Sequence, residues 1–401
     1  MRTEGDFIKI NEWLIPLSCI YGAVVRFRNQ LFDMELLHQK AYDIPIISVG
    51  NITVGGAGKT PHVEYLIRLL KGKLKVAVLS RGYKRRTRGF VLADTDTAMR
   101  EIGDEPFQMK SKFPDIYVAV DGNRCRGVEK LTGSEATKDV DVILLDDAYQ
   151  HRYIKPGINI LLVDYHRLIL YDKLLPAGRL REPIKGKNRA DIVIITKCPE
   201  DLKPMEYRVL TKAMNLYPYQ ELFFTTLEYG PLQPIFKDCC QPLAAGEPAN
   251  SPFQQVKNEN ILLLTGIASP EQLVKDFSEH GIRCTTLSFP DHHLFKQKDI
   301  ERINSTFASM PLPKRIITTE KDESRIVSVE GFSQEVKQSL YSLPIHIKFM
   351  LEEEENFNNK IISYVRKNSR NSILAKRKDD HKARNSHHSG NRSGTISFRN
   401  N

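Results

Sequence analysis

The chain has 401 residues, of which 41% are hydrophobic and 27% are charged, a composition typical of folded proteins with two or three domains. Its net charge of +10 is concentrated at one end. Residues 366–401 contain ten Lys or Arg against two Asp or Glu, a charge of +8, which leaves +2 for residues 1–365. This nearly neutral body argues against a nucleic-acid-binding fold. The six cysteines show no Cys-x-x-Cys spacing, which indicates a reducing, cytoplasmic environment.

The first predicted element is an apolar helix within residues 1–35. Residues 13–25 read W-L-I-P-L-S-C-I-Y-G-A-V-V and are followed by two arginines. This run is shorter than the roughly 20 residues that cross a bilayer, and the acidic residues before it argue against a cleaved signal peptide. Two interpretations stay open: an interfacial helix with Trp13 and Tyr21 at the level of the lipid headgroups, or the first core helix of a soluble domain.

Six β-branched runs follow, each leading into a loop or a helix-like segment, and they predict a mostly parallel sheet flanked by helices over residues 36–225. A second α/β pattern starts at Asn260 and predicts a smaller C-terminal α/β domain over 259–366. Residues 226–258 are predicted to be a connecting segment, and 367–401, with little apolar content, a basic disordered tail. The six runs are Ile44–Val49, Lys75–Ser80, Ile116–Val120, Val140–Leu145, Ile158–Val163 and Ala190–Thr196.

A glycine-rich loop separates the first strand from a helix-like stretch. Residues 53–60 read T-V-G-G-A-G-K-T and match the phosphate-binding pattern G-x-x-x-x-G-K-S/T, except that Thr53 replaces the first glycine. In such a loop, Lys59 reaches the β- and γ-phosphate oxygens and Thr60 binds Mg²⁺. Gly50, just upstream, is expected to share the turn out of the strand. With ATP and Mg²⁺ as ligands, the predicted nucleotide-binding residues are Thr53, Val54, Gly55, Gly56, Ala57, Gly58, Lys59 and Thr60, the three glycines with positive φ angles.

Acidic residues follow at two further places. An apolar strand ends in Asp146 and Asp147, where a phosphate-binding loop needs a carboxylate to hold Mg²⁺ or its waters. The tetrapeptide G-D-E-P offers Asp104 and Glu105 as metal ligands, as a base, or simply as acids at a helix start. Phosphoryl transfer to a hydroxyl gains from a base that accepts the proton. We expect this base among these acids or among the histidines of polar segments, which are His151, His292 and His293.

Several arginines lie near predicted strand ends, where they suit recognition of phosphate. Surface ion pairs are an equally good interpretation for each arginine taken singly. The arginines are Arg81, Arg124, and the pair Arg179 and Arg181, which stands beside Glu182 in L-P-A-G-R-L-R-E-P.

Together these segments resemble the tetraacyldisaccharide 4′-kinases of lipid A synthesis, over roughly residues 10–365. The motifs L-S-R-G-Y, G-D-E-P, T-G-I-A-S-P, F-P-D-H-H and T-E-K-D occur in the order that this family shows. A threonine at the first position of the loop is normal in the family. The resemblance rests above all on V-G-N-I-T-V-G-G-A-G-K-T-P (49–61), L-L-D-D-A-Y-Q-H-R (144–152) and L-P-A-G-R-L-R-E-P (175–183).

The resemblance implies a P-loop kinase domain, a smaller C-terminal domain and an active cleft between them. It also implies transfer of the ATP γ-phosphate to the 4′-hydroxyl of a tetraacyldisaccharide 1-phosphate. Asp104 is implied as the base, paired with His292 or, as a second choice, His293, and Lys59 as a catalytic residue. The remaining implied roles are a Mg²⁺ neighbourhood of Thr60, Glu105, Asp146 and Asp147, and a substrate cleft lined by Gln150, Arg181 and Glu182.

An acceptor with several acyl chains lies in a bilayer, so the resemblance favours an interfacial helix over residues 13–25. It implies a peripheral position at the cytoplasmic face of the bacterial inner membrane. The expected partners are the lipid disaccharide 1-phosphate and the membrane surface, with no nucleic acid and a monomeric enzyme. The alternative is a P-loop kinase or NTPase that acts on a soluble small molecule. Ala148, Tyr149, Lys84 and Glu323 depart from the usual family sequence, and none is a proposed catalytic residue.

Overall fold

All six predicted runs form strands of one large sheet, with bounds within two residues of those predicted. The predicted fold class, a mostly parallel sheet flanked by helices, is confirmed. His292, the middle of the predicted connecting segment and nearly all of the predicted tail lie outside the described residues. The structure, a computed structural model, describes residues 8, 10–239, 251–267, 270–291 and 293–369.

The described strands are β1 (Ile46–Gly50), β2 (Val76–Ser80), β3 (Val91–Ala93), β4 (Tyr117–Val120), β5 (Val142–Asp146), β6 (Ile158–Asp164), β7 (Ile192–Thr196), β8 (Glu221–Tyr229), β9 (Gln233–Pro234), β10 (Asn260–Thr265), β11 (Cys284–Ser288), β12 (Lys314–Thr319), β13 (Leu340–Leu343) and β14 (Ile345–Phe349). The α-helices are α1 (Ile15–Asp33), α2 (Lys59–Lys71), α3 (Met99–Ile102), α4 (Asp104–Lys112), α5 (Arg124–Gly133), α6 (Pro204–Met214), α7 (Pro252–Gln255), α8 (Glu271–Glu279), α9 (Gln297–Ala308), α10 (Glu320–Ile326), α11 (Gln334–Ser339) and α12 (354–369). Short 3₁₀ turns lie at Glu12–Leu14, Glu135–Thr137, Tyr165–Arg167, Ile169–Tyr171 and Ile184–Arg189.

The large sheet has the strand order β14-β8-β7-β6-β1-β5-β2-β4-β3, and only the two edge strands run antiparallel to their neighbours. Every residue of the central strands β1 and β5 is buried, as expected for a parallel sheet that is covered on both faces. In their register, Val49 of β1 stands opposite Asp146 of β5. This pairing brings the glycine-rich loop and the acidic pair to the same edge of the sheet, where ligands bind in open α/β folds.

The small sheet has the order β11-β10-β12-β13-β9, with β9 as its antiparallel edge strand. Its helices bury an apolar core of their own that includes Leu262, Ile303 and Phe307. The T-E-K-D motif ends β12 and begins α10, where the hydroxyl of Thr319 accepts a hydrogen bond from the backbone N–H of Asp322 and caps the helix. This helix faces α4 of the large-sheet domain.

After the small sheet the chain returns to the large one. β14 pairs with β8, and α12 packs Phe357 against Phe223 and Phe349, with ring centroids 5.4 and 4.6 Å apart. The range 259–366 therefore contains strands of both sheets, β8 enters the range predicted as a connection, and α12 continues three residues into the predicted tail. A local pattern identifies a strand but not its sheet, because sheet membership depends on tertiary packing.

Helix α1 lies with its more polar side on the segment that follows β6. The hydroxyl of Ser18 donates to the carbonyl of Leu174 (2.9 Å), and the hydroxyl of Tyr21 donates to the carbonyl of Arg181 (2.8 Å). Gly22 allows close approach, because a Cβ there would lie 2.6 Å from the side chain of Leu174. The polar contacts thus fix which side of the helix faces outward.

The outward side of α1 and of the turn before it is apolar. We name this surface the α1 stripe; its residues stand three or four positions apart, so they share one helix face. The exposed fractions exclude a core helix, because a core helix buries its apolar side chains. No helix in the described ranges is long and apolar enough to cross a membrane. The stripe consists of Trp13 (93% exposed), Leu17 (54%), Ile20 (63%), Val24 (64%) and Phe27 (63%).

Candidate active site

The glycine-rich loop joins the end of β1 to the start of α2. Gly58, the residue before α2, has a φ of +79°, and Gly55 has a φ of +117°, conformations that glycine adopts without strain. Gly56 and Gly50 have no positive φ, so the prediction was wrong for Gly56. Gly50 serves close packing instead, because a Cβ there would lie 2.7 Å from the Cβ of Tyr149.

Thr53 is held from two sides. Its hydroxyl accepts a hydrogen bond from the side-chain amide of Asn51 (3.1 Å), and its backbone pairs with Leu180 in an antiparallel bridge. The side-chain amide of Gln150 donates to the carbonyl of Asn51 at 2.6 Å. These contacts order the start of the loop, so the turn does not require glycine at position 53.

His62, in the first turn of α2, contacts both the loop and β8. Its Nδ1 lies 2.7 Å from the carbonyl oxygen of Gly58, and its Nε2 lies 3.2 Å from Oγ1 of Thr225 in β8. Burial lowers the pKa of His62 to about 4, so the ring is neutral at neutral pH. The proton then sits on Nδ1, because a carbonyl only accepts. Sequence reasoning missed His62, since its partner is distant in the chain.

Asp146 ends β5 in a buried position. Its Oδ2 accepts a hydrogen bond from the hydroxyl of Ser80 (3.1 Å), while Oδ1 is buried without a partner among the described residues. Burial, with the charges of Glu105 and Asp147, raises the pKa of Asp146 to about 7. The charge of Glu105, in the first turn of α4, therefore acts on the carboxyl group at the end of β5. Its predicted place near Mg²⁺ stays a prediction.

Asp147 turns toward the loop and is surrounded by cations. Its backbone has a φ of +46°, its Oδ1 lies 3.7 Å from Nζ of Lys59, and its Oδ2 lies 3.2 Å from Nη1 of Arg181. Burial opposes ionisation, but Lys59 and Arg181 outweigh it and lower the pKa of Asp147. The structure thus brings together Lys59, Asp147 and Arg181, which lie in three separate sequence motifs.

The donor set suits a hard divalent cation. Oδ1 of Asp146, which has no partner in the described ranges, is a carboxylate oxygen, the ligand type that Mg²⁺ prefers. The described residues contain no cluster of three or more His, Cys, Asp or Glu that could hold a metal by themselves. A nucleotide-bound Mg²⁺ needs no such cluster, because phosphates and waters complete its coordination.

Asp104 lies at the start of α4 and joins the two sheets. Its Oδ2 accepts a hydrogen bond of 2.6 Å from Nη2 of Arg325 in α10. Nη1 of Arg325 donates to Oδ1 of Asp322 (2.9 Å) and to the carbonyl of Gly266 (3.1 Å). Sequence reasoning missed Arg325, although T-E-K-D three residues earlier marked its helix. The predicted base therefore contacts the small-sheet domain.

The structure describes one of the two histidines of F-P-D-H-H, His293. His292 lies outside the described residues. Nε2 of His293 lies 2.9 Å from Oδ2 of Asp299, and its ring stacks on Phe289 with centroids 4.9 Å apart. His293 is thus engaged within its own domain, and the pairing of Asp104 with a histidine stays a prediction.

The sequence also matches the profile of a known protein family. The profile described as tetraacyldisaccharide-1-P 4′-kinase matches residues 10–366. The chain belongs to this family.

Individual relatives agree. The tetraacyldisaccharide 4′-kinase of Phocaeicola vulgatus is 57% identical over 92% of this chain and 99% of the relative, and that of Bacteroides thetaiotaomicron is 50% identical over 95% and 100%. The crystal structure of LpxK from Aquifex aeolicus in complex with ATP has a TM-score of 0.67 and 28% identity, covering 88% of this chain and 99% of that one. The predicted family, enzyme class and kinase function are confirmed.

Two further residues that were predicted to line the substrate cleft of this tetraacyldisaccharide 4′-kinase are Gln150 and Glu182. Gln150 supports the loop and lies 3.5 Å from Nη1 of Arg181. Glu182 is buried and paired with Arg189 at 2.9 Å. Its place in the lining of the substrate cleft stays a prediction.

Burial shifts the pKa values of two further groups of the kinase, Arg124 and His151. Burial lowers the pKa of Arg124 to about 10, although Asp146 and Asp147 favour its charged form. Burial and nearby arginines, Arg124 first among them, lower the pKa of His151 to about 4. A neutral His151 is a poor candidate for a group that exchanges a proton near pH 7.

Proposed function

We propose that this kinase uses Asp104 as the base while the γ-phosphate of ATP passes to the 4′-hydroxyl of a tetraacyldisaccharide 1-phosphate. The observation that carries the proposal is the convergence of Lys59, Asp147 and Arg181 at the mouth of the loop. Together with burial, the charge of Glu105, which follows Asp104 at the start of α4, raises the pKa of Asp146.

In the proposed step, the 4′-oxygen attacks the γ-phosphorus and its proton passes to Asp104. The bond from the γ-phosphorus to the bridging oxygen breaks, and ADP leaves with that electron pair. Lys59, with the loop N–H groups, stabilises the charge that develops on the phosphate oxygens. Gln150 and Arg181 hold the acceptor side of the cleft.

We assign Thr60 and Asp146 to Mg²⁺, with Glu105 and Asp147 beside them. The buried Oδ1 of Asp146, for which the described part of the chain offers no hydrogen-bond partner, supports this assignment. When bound, Mg²⁺ neutralises the β- and γ-phosphate oxygens.

The α1 stripe supports binding to a membrane surface. Its five apolar side chains face away from the protein, while the polar side of α1 is committed to the large-sheet domain. We therefore propose a peripheral position at the cytoplasmic face of the inner membrane, where ATP and an acylated acceptor meet. The enzyme acts as a monomer in this proposal.

The kinase reaction is tested with the full chain, γ-³²P-labelled ATP, Mg²⁺ and tetraacyldisaccharide 1-phosphate in detergent micelles. The expected product is a labelled 1,4′-bisphosphate, and its absence with the wild type would contradict the proposal. Asp104→Asn is expected to lower kcat by about 10²-fold, the lower range for loss of a general base. Asp115→Asn, at an exposed position between α4 and β4, serves as the control. Near-normal turnover of Asp104→Asn would exclude it as the base.

Membrane binding is tested by flotation with vesicles that contain anionic lipid. The double variant Ile20→Asp/Val24→Asp is expected to remain with the unbound protein, because two charges would have to enter the acyl boundary. Val209→Asp, on the exposed face of α6, is the matched control and should float like the wild type. Equal flotation of all three proteins would contradict a role for the stripe.

A further inference from the structure

A short stretch of the L-P-A-G-R-L-R-E-P motif forms an extra strand beside the start of the loop. Thr53 bridges Leu180 in antiparallel fashion. Two backbone hydrogen bonds of 2.7 Å flank the bridge, from the N–H of Val54 to the carbonyl of Arg179 and from the N–H of Arg181 to the carbonyl of Ile52.

The side chains of this stretch alternate between two faces, as in any extended strand. Leu180 points inward, where it is 2% exposed and packs in the same apolar cluster as Ile52. Arg179 and Arg181 therefore share the opposite face. Arg181 uses that face to contact Asp147, the neighbour of Lys59. The shared face is thus the one on which the phosphate-binding groups lie.

The guanidinium of Arg179 lies over the glycine part of the loop. A Cβ built on Gly55 would lie 3.9 Å from Nη1 of Arg179, which is the only atom of the described chain, apart from adjoining residues, within 4 Å of it. A Cβ on Gly56 would meet no atom of the described chain within that distance. In the part of the chain that the structure describes, no hydrogen bond or ion pair involves this guanidinium.

The backbone of Arg179 is fixed by a tight turn. Its N–H donates to Oδ1 of Asp172 (3.1 Å), a buried carboxylate that is also paired with Arg167 at 2.7 Å. Gly178 permits the turn, since a Cβ there would lie 2.2 Å from the carbonyl oxygen of Lys173. The turn restricts the backbone from which Arg179 reaches the loop.

We propose that Arg179 binds the γ-phosphate of ATP and stabilises the charge on it during transfer, as an arginine supplied by the enzyme's own chain. This inference rests on the proposed function and adds a residue to it. The guanidinium is exposed, its Nη1 lies 3.9 Å from the position of a Cβ on Gly55, and it is on the face shared with Arg181. A planar guanidinium matches phosphate oxygens in geometry, and an arginine at a transferring phosphoryl group is a recurrent device in P-loop enzymes.

The first test measures nucleotide binding without lipid. The affinities of wild type, Arg179→Ala and Arg179→Lys for Mg²⁺-adenylyl imidodiphosphate and Mg²⁺-ADP are compared by calorimetry. Arg179→Ala is expected to bind the triphosphate analogue about 10- to 100-fold more weakly, the size of a charge-assisted hydrogen bond. ADP affinity should change less than about 3-fold, and Arg179→Lys should be intermediate. The control is Lys185→Ala, which removes an exposed positive charge of the same segment.

Equal losses for both nucleotides, or no loss for either, would overturn the inference. The second readout is lipid phosphorylation, in which Arg179→Ala should reduce kcat by about 10²-fold or more at saturating ATP. An unchanged kcat of Arg179→Ala would also contradict the proposed role of Arg179. Because the binding test needs no acceptor, a wild type that binds nucleotide but labels no lipid would reject the proposed acceptor and leave the Arg179 contact supported. A wild type that binds no nucleotide would reject both.

Discussion

The buried Arg325 joins the small-sheet domain to Asp104, the proposed base in the large-sheet domain. The free energy of unfolding that is lost when Arg325 is replaced can be estimated. The side chain is 2% exposed and contacts Asp104, Asp322 and the carbonyl of Gly266. Arg325→Met keeps much of the stem volume but removes the charge, which leaves two buried carboxylates without this cation. Breaking a buried ion pair by deleting one partner costs about 3–5 kcal/mol. Asp322 retains the Thr319 hydroxyl and the N–H of Gly266, so we expect the lower end, about 3 kcal/mol.

The assay combines chemical denaturation with kinetics. Circular dichroism gives the free energy of unfolding of wild type, Arg325→Met and Arg325→Lys, and lipid phosphorylation gives kcat and the KM for ATP. The fall in kcat should exceed any change in KM, because Arg325 orients the proposed base and has no described contact with the loop. Arg325→Lys should lose less in both measurements. Arg302→Met, at an exposed position of α9, should change stability by less than about 0.5 kcal/mol.

Two results would contradict this reasoning. A free energy of unfolding for Arg325→Met within about 0.5 kcal/mol of the wild type would show that the buried pair carries no stability. A clear loss of stability with an unchanged kcat would confine Arg325 to holding the sheets together and remove it from positioning Asp104.

Three further predictions concern the loop and the packing below it. Lys59→Ala should lower kcat by about 10²-fold or more in the lipid assay, because positioning and electrostatics dominate phosphoryl transfer; a near-normal kcat would contradict this. For His62, burial sets the folded pKa at about 4 against 6.5 for the free side chain, so the unfolded chain takes up the proton first as pH falls. As the pH falls from 6.5 to 4, proton uptake by the unfolded chain lowers the contribution of His62 to the free energy of unfolding by up to about 3 kcal/mol. The stability difference between wild type and His62→Gln in denaturant titrations should shrink over that window, and a constant difference would refute the assignment. Tyr364→Phe should lower the free energy of unfolding by about 1 kcal/mol. The hydroxyl of Tyr364, in α12, accepts a hydrogen bond from the N–H of Ile46 (3.1 Å) and donates one to its carbonyl (3.2 Å). An unchanged free energy of unfolding would show that these bonds do not stabilise the packing of α12 on β1.

Features that depend on neighbouring residues could be read from the sequence. Apolar β-branched runs predicted the six strands, because a parallel sheet covered on both faces needs side chains of that kind at every position. The loop at 53–60 and the acidic pair at 146–147 could be predicted together, because parallel strands place their carboxyl ends at one edge. The motifs also identified the family.

Features that join distant residues came only from the tertiary structure. Asp104 and Arg325 are 221 residues apart and His62 and Thr225 are 163 apart, so no local pattern links them. The placement of Arg179 over Gly55 likewise depends on a strand pairing between separate motifs. Sequence alone therefore determined the elements and the chemistry they can carry. Tertiary packing decided which charges meet, because burial and distance set the energy of each contact.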